Sequence, residues 1–315
     1  MAEYDIIIIG SGPAGLTAAI YAGRALVKTL VVAGRLSGGQ LMLTSGVENF
    51  PGFSDGIQGP TLMEEMRKQA ERFGAGFLDD DVESVDFSRK PFQVNVGGKV
   101  HYSKAVIIAT GSSAKWLDLT SEEKLRGRGV SSCATCDGYF FRGKRVVVVG
   151  GGDTAVEEAL FLTKFATEVV VIHRRDQLRA SKIMQRRALS NDKIRFLWNS
   201  VIEDILGKQS VEGVRVRNVE TGEQSIVACD GVFVAIGFQP NTKIFGSQVR
   251  LDEKGYIISG DETKTSVDGV FVAGDVHDFK YRQAITAAGE GCKVAMDALA
   301  YLEEQKELTL TAPQK

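Results

Sequence analysis

Two glycine fingerprints, each set between a run of branched apolar residues and a helix-forming stretch, restrict this chain more than any other feature. In the first, Tyr4-Asp5-Ile6-Ile7-Ile8-Ile9 leads into Gly10-Ser11-Gly12-Pro13-Ala14-Gly15. In the second, Arg145 to Val149 leads into Gly150-Gly151-Gly152-Asp153-Thr154-Ala155. A continuous apolar run, as opposed to an alternating one, predicts a strand buried on both faces of a parallel sheet. Between such a strand and a helix, the first fingerprint glycine permits a tight turn and the second lets backbone approach a pyrophosphate. The third small residue lets helix and strand pack closely, with the helix N-terminus facing the anion. A second apolar strand follows each helix, and the spacing from Gly10 to Ala33 equals that from Gly150 to His173. The expected fold is therefore α/β, with two Rossmann-like dinucleotide-binding domains of three-layer ββα architecture, the second inserted in the first.

A chain of 315 residues exceeds the size at which a single core usually stops growing. Residues 82–100 alternate polar and apolar positions around Gly97-Gly98, predicting a small antiparallel sheet, and Ala105 to Gly111 reads as a buried strand with a glycine exit. The same plan recurs after the second fingerprint, with a Thr221-Gly222 turn and a buried strand running into Ile236-Gly237. Gly269 to Val276 reads as a strand returning to the first domain, followed by a helix over 281–305 and a frayed tail from Leu308. The boundaries expected are 1–113 with 243–315 for the first domain and 114–242 for the insert.

The two nucleotide sites differ. After the first fingerprint the strand ends Val32-Ala33-Gly34-Arg35, without the acidic residue that usually holds an adenosine ribose. That ending leaves the ribose contact open and admits NADP. Gly38-Gly39-Gln40-Leu41, which can wrap further backbone around a long cofactor, and Gly274-Asp275, where a carboxylate can accept a ribityl hydroxyl, point instead to flavin. At the corresponding strand end of the second module stand His173, Arg174 and Arg175, with Arg179 expected one helical turn further on. Arginines there suit the extra phosphate of NADPH.

Just upstream of the second fingerprint lie Cys133-Ala134-Thr135-Cys136 and Asp137. Such a pair can close into a disulfide that accepts two electrons, or can supply half of a zinc site. The three histidines, His101, His173 and His277, are scattered and no second C-x-x-C exists, so no metal is expected. Cys229 and Cys292 read as buried apolar residues. Only Asp137 to Lys144 separates the pair from the next strand, so no helix dipole is expected to stabilise a thiolate. Asp137, a like charge, would raise a neighbouring thiol's pKa, and its role is read as handling protons. A net charge of -2 without a dense basic run argues against nucleic acid and anionic membrane surfaces, and no stretch approaches 18 apolar residues. Four cysteines in a long chain without a visible secretory signal fit the cytoplasm.

CATCDG between two dinucleotide fingerprints, followed in order by HRRDQLRA, AGDV and YRQAITAAGEGC, resembles the low-molecular-weight thioredoxin reductases over nearly the whole chain. The resemblance implies a homodimeric enzyme in which NADPH reduces FAD and the flavin reduces a Cys133–Cys136 disulfide. It also implies that Cys136 faces the flavin, that Cys133 attacks the disulfide of thioredoxin, and that Asp137 donates the proton. Because nicotinamide and disulfide share a domain, the family alternates them at the flavin by domain rotation. Flavin contacts carried over are Gly10, Gly12, Pro13, Ala14, Gly15, Gly39, Gln40, Leu41, Asn49, Gly111, Gly274, Asp275, Arg282, Gln283 and Ala284. NADPH contacts carried over are Gly150, Gly152, Asp153, Thr154, Ala155, His173, Arg174, Arg175, Arg179, Ile236 and Gly237. Other readings are a flavoprotein reductase for another dithiol protein or small disulfide, a ferredoxin:NADP-type reductase, and a non-catalytic redox-sensing nucleotide binder.

Overall fold

The computed structural model describes residues 3–44 and 46–311. The described chain runs through β1 (Tyr4–Ile9), α1 (Pro13–Arg24), β2 (Thr29–Val32), α2 (Gly59–Arg72), β3 (Gly76–Leu78), β4 (Val82–Asp86), β5 (Phe92–Val96), β6 (Lys99–Ile108) and β7 (Ser112–Ala114). It continues with α3 (Thr120–Leu125), β8 (Val130–Ser131), α4 (Ala134–Asp137), β9 (Arg145–Val149), α5 (Asp153–Leu162), β10 (Glu168–Ile172), α6 (Lys182–Leu189) and β11 (Ile194–Leu197). The remaining elements are β12 (Ser200–Leu206), β13 (Gly213–Asn218), β14 (Gln224–Ala228), β15 (Gly231–Val234), β16 (Phe238–Pro240), β17 (Val270–Val272) and α7 (Ala284–Thr311). The chain forms two compact units, residues 1–113 with 239–315, and residues 114–238.

In the discontinuous unit, β3, β2, β1, β6 and β17 pair in parallel in that spatial order. The N-terminal half of β6 turns antiparallel and pairs with β5, which pairs with β4. The apolar run of β1 explains this layering. Ile6 and Ile8 enter a core with Ala14, Ala18 and Ala22 of α1 and Ala287, Ala295 and Ala298 of α7. Ile7 and Ile9 face the opposite way, into a core with Phe92, Val94 and Val96 of β5. Period-two alternation thus splits one strand between two apolar layers. The insert repeats the plan. Its parallel order is β11-β10-β9-β15-β8, and its antiparallel layer is β12-β13-β14. Val146 and Val148 pack toward Ala155, Ala159 and Leu162 of α5, while Val147 and Val149 pack toward Ile202, Ile205, Val214 and Val216. The expected pair of three-layer modules is what the chain forms.

Two expectations need correction. The C-terminal helix continues through Thr311, so the tail expected from Leu308 is helical there; residues 312–315 lie outside the described part. Cys292 is half-exposed, with its Sγ 4.0 Å from Met296 Sδ, whereas Cys229 is buried. No helix of the described residues is long and apolar enough to cross a membrane.

Candidate active site

The first fingerprint forms the turn from β1 into α1. Gly10 has φ +114°, and a side chain there would meet Ala109 O at 2.3 Å. A Cβ on Gly15 would lie 2.0 Å from Gly10 O, so helix and strand touch backbone to backbone. Gly12 differs, because a Cβ there would meet nothing within 4 Å. Its position at the N-cap of α1, followed by Pro13 and with no acid in the first turn, leaves helical N–H groups facing open space. A pyrophosphate fits that opening. Ser11, which the sequence reading passed over, ties the surroundings together. Its Oγ donates to Ala33 O at 2.8 Å and accepts from Gly38 N at 2.9 Å. A hydroxyl residue between two fingerprint glycines was the available signal. Gly39, Gln40 and Leu41 form the adjoining 3₁₀ turn, with Gly39 against the backbone of Gly12.

Among the other carried-over residues of this unit, those at 111 and 274–275 follow the parallel strands β6 and β17. Gly111 follows β6 at φ +66°, and its carbonyl accepts from Asn241 N. Asn49 Nδ2 donates to Gln283 Oε1 at 3.4 Å, bringing together residues 234 apart in sequence. Arg282 takes φ +48° just before Ala284 opens α7. Gly274 and Asp275 follow β17. The Asp275 carboxyl accepts no hydrogen bond among the described residues. Burial, together with Asp278 and Glu290 and against Arg282 and His277, raises its pKa to about 7. Such a carboxylate fits a ligand hydroxyl. Two aspartates from the loop after β3 lie beside the end of β2, where the sequence lacks an acid. Asp81 Oδ1 accepts from Arg35 N at 3.0 Å, and Asp80 Oδ1 from Arg35 Nε at 2.8 Å.

In the insert, Gly152 repeats the opening of Gly12, with nothing within 4 Å of a Cβ. Ala155 packs closely under Gly150, whose added Cβ would stand 2.6 Å from that of Ala155. Asp153 braces the loop by accepting from Ser181 N at 2.8 Å, with Thr154 beside it in the first turn of α5. Arg174, Arg175 and Arg179 are exposed. Arg179 does not stand on a helix as expected. It lies on a loop, and its N–H donates to Gly151 O at 2.7 Å, which fastens this loop to the fingerprint. His173 is buried beneath Gly151, with Nε2 unpartnered. Burial, opposed by the Gln177 backbone but helped by the nearby arginines, lowers its pKa. The arginines therefore carry the positive charge, and His173 supports the floor. Ile236 is exposed and Gly237 takes φ +108° at the exit of β15.

Cys133 and Cys136 form a disulfide with Cα atoms 5.3 Å apart. A single helical turn, α4, starts after Cys133, and Cys136 N–H donates to Cys133 Sγ at 3.2 Å. Thr135 Oγ1 lies 3.3 Å from the same sulfur. Four residues make no helix dipole; the turn supplies a single N–H instead, which no sequence periodicity marks. An N–H aimed at Cys133 Sγ favours its thiolate once the disulfide opens. Asp137 closes the turn, its N–H donating to Cys133 O at 3.1 Å. Burial raises the Asp137 carboxyl pKa, opposed by a hydrogen bond from the Ser131 side chain.

The model of the pyridine nucleotide-disulphide oxidoreductase family matches residues 4–291. A thioredoxin reductase of Mycolicibacterium smegmatis is 55% identical over 303 residues, covering 96% of this chain and 97% of that one. A thioredoxin reductase of Rickettsia felis is 51% identical over 304 residues, covering 95% and 98%. Among solved structures, thioredoxin reductase from Streptococcus pyogenes MGAS5005 superposes with a TM-score of 0.92 at 43% identity, covering 96% of this chain and 98% of that one.

Proposed function

The chain belongs to the pyridine nucleotide-disulphide oxidoreductase family, among its thioredoxin reductases, and we propose from that premise how its residues share the work. It is an NADPH-dependent flavoprotein that reduces the disulfide of thioredoxin. We assign FAD to the discontinuous unit and NADPH to the insert. When bound, FAD supplies a two-electron relay between the reduced nicotinamide and the enzyme's disulfide.

Gly12 and the first turn of α1 would hold the flavin's pyrophosphate, and Asp275 would accept a ribityl hydroxyl. Asn49, with Gln283 and Ala284 near the start of α7, would border the isoalloxazine. Gly152 and the N-terminus of α5 would hold the NADPH pyrophosphate, and Arg174, Arg175 and Arg179 its 2′-phosphate. Two electrons and two protons convert Cys133–Cys136 into two thiols. The Cys133 thiolate, stabilised by the Cys136 N–H, attacks one sulfur of the thioredoxin disulfide and expels the other as a thiolate. Cys136 then attacks Cys133 in the mixed disulfide, releasing the second thioredoxin sulfur and restoring the enzyme disulfide. Asp137 supplies a proton to a departing thiolate. We place the enzyme in the cytoplasm as a homodimer.

The observation that carries this reading is the hydrogen bond from Cys136 N to Cys133 Sγ beside the half-buried Asp137. It makes the two sulfurs chemically unequal and puts a proton source next to them. Cys133→Ser is expected to abolish NADPH-dependent thioredoxin reduction while NADPH still bleaches the flavin absorbance. Full thioredoxin turnover by that variant would overturn the assignment of Cys133 as nucleophile.

A further inference from the structure

Glu290 stands in α7 and sends its side chain back onto the turn that follows β17. Its Oε2 accepts the Gly274 N–H at 2.5 Å and lies 2.9 Å from His277 Nε2. On its far side, His277 Nδ1 lies 3.3 Å from Ser259 Oγ. Gly274 O in turn accepts from His277 N at 3.0 Å and Asp278 N at 3.1 Å, which closes the turn around Asp275. The pair is largely shielded, with the His277 side chain 14% exposed and that of Glu290 21%. Burial works against the Glu290 charge, but His277, the Gly274 N–H and Lys293 outweigh it and hold its pKa below the ordinary glutamate value.

Gly274 is itself buried at φ +80°, and a Cβ there would lie 3.0 Å from that of Ala14. Its N–H cannot be handed to solvent without moving the turn, so removal of Glu290 leaves an unmet donor. The next residue along this fixed backbone is Asp275, and the direction of its carboxylate follows from the geometry of the turn. Neither Glu290 nor His277 has a part in the electron path assigned above.

We propose that Glu290 and His277 are positioning residues that clamp the Gly274 turn and thereby aim the Asp275 carboxylate at the flavin. The proposal rests on the reading of Asp275 as a flavin ligand. Glu290 fixes the backbone N–H, and His277 fixes the orientation of the Glu290 carboxylate through its bond to Oε2. An amide oxygen can replace the carboxylate as acceptor for Gly274 N–H, so glutamine retains the clamp and alanine does not.

The test is the rate of FAD release when full-length holoenzyme is diluted, followed as the growth of free-flavin fluorescence. The proteins compared are wild type, Glu290→Ala, Glu290→Gln, Asp275→Asn and the Asp275→Asn/Glu290→Ala double variant. Glu290→Ala is expected to speed release by about tenfold, and Glu290→Gln to stay within about threefold of wild type. The double variant is expected to release FAD no more than about twofold faster than Asp275→Asn alone, because Glu290 acts through Asp275. Wild-type release from Glu290→Ala, or effects of the two single changes that multiply in the double variant, would overturn the clamp. Unaltered release from Asp275→Asn would instead overturn the flavin reading of Asp275 and the clamp with it. If Glu290→Ala does not fold, His277→Ala carries the test, since it spares the Gly274 bond. Release about threefold faster than wild type is then expected, and an unchanged rate refutes the proposal.

Discussion

A carboxyl group withdrawn from water, as at Asp137, keeps its proton to a higher pH than an exposed aspartate does. This helps catalysis and opposes stability. In the folded protein the pKa lies above its ordinary value of 3.8, so the folded state binds more protons than the unfolded chain through that window. Stability from this group is fully present below pH 3.8 and is lost as pH rises through the folded value. Asp137→Asn, which carries no charge, should therefore melt at a higher temperature than wild type near neutral pH, with the difference vanishing in acid. Its thioredoxin turnover should fall by about 10²- to 10⁴-fold and lack the decline expected of wild type as Asp137 ionises. Undiminished turnover, or a lower melting temperature at neutral pH, would contradict the assignment. Much at this scale was legible, because Cys133, Cys136 and Asp137 fall within five residues and their chemistry follows from residue type. Glu290 and His277 were not. Nothing local marks a glutamate in a small-residue helix as the acceptor for a backbone N–H far upstream.

At the scale of elements, the fingerprint glycines separate into two kinds by what a methyl group would meet. Gly15 sits against the carbonyl of Gly10, and Gly12 faces open space. Gly15→Ala should force α1 from β1 and cost about 1–3 kcal/mol of stability in the flavin-free protein. Gly12→Ala should leave the flavin-free melting temperature unchanged and weaken FAD retention, since its methyl group would enter the space assigned to the pyrophosphate. Thermal melts of both flavin-free variants, with FAD titration, separate the two effects; equal melting temperatures would remove the distinction. The strands could be read in advance because β1 and β9 are apolar at every core position and so declare two buried faces. Loops could not. The Arg179 segment is shaped by two N–H bonds to Gly151 O, from Arg179 and Ala180, and the single turn α4 by the Asp137 N–H bond to Cys133 O and the contacts of Cys136 N–H and Thr135 Oγ1 with Cys133 Sγ. Neither leaves a periodic trace.

Over the whole molecule, the apolar clusters of the two units share no residue among those described. Ligands should consequently stabilise them separately. NADP⁺ at 100 times its Kd is expected to stabilise the insert by about 2.7 kcal/mol and to leave the temperature of flavin release unmoved. Calorimetry with simultaneous flavin fluorescence checks this, and an equal rise in both transitions would show a single cooperative block. The repeated strand–glycine–helix pattern made the duplication readable, since equal spacing from fingerprint to second strand end recurs in both copies. The discontinuity of the first unit has a consequence in the order of protein synthesis. Strand β6 leaves the ribosome long before its parallel neighbour β17, and α1 before α7, whose Gly291 packs so closely that a Cβ would lie 2.3 Å from Ala14 O. At about 5–20 residues per second, roughly 8 to 32 s separate Ile108 from Val270 and roughly 14 to 55 s separate Ala14 from Gly291. Until β17 and α7 appear, the nascent N-terminal segment carries an incomplete sheet and an uncovered alanine stripe, while the insert, made between β6 and β17, has its last strand, β15, before Val270 is reached. Ribosome-bound chains arrested before Val270 should thus yield a protease-resistant insert attached to a sensitive N-terminal half.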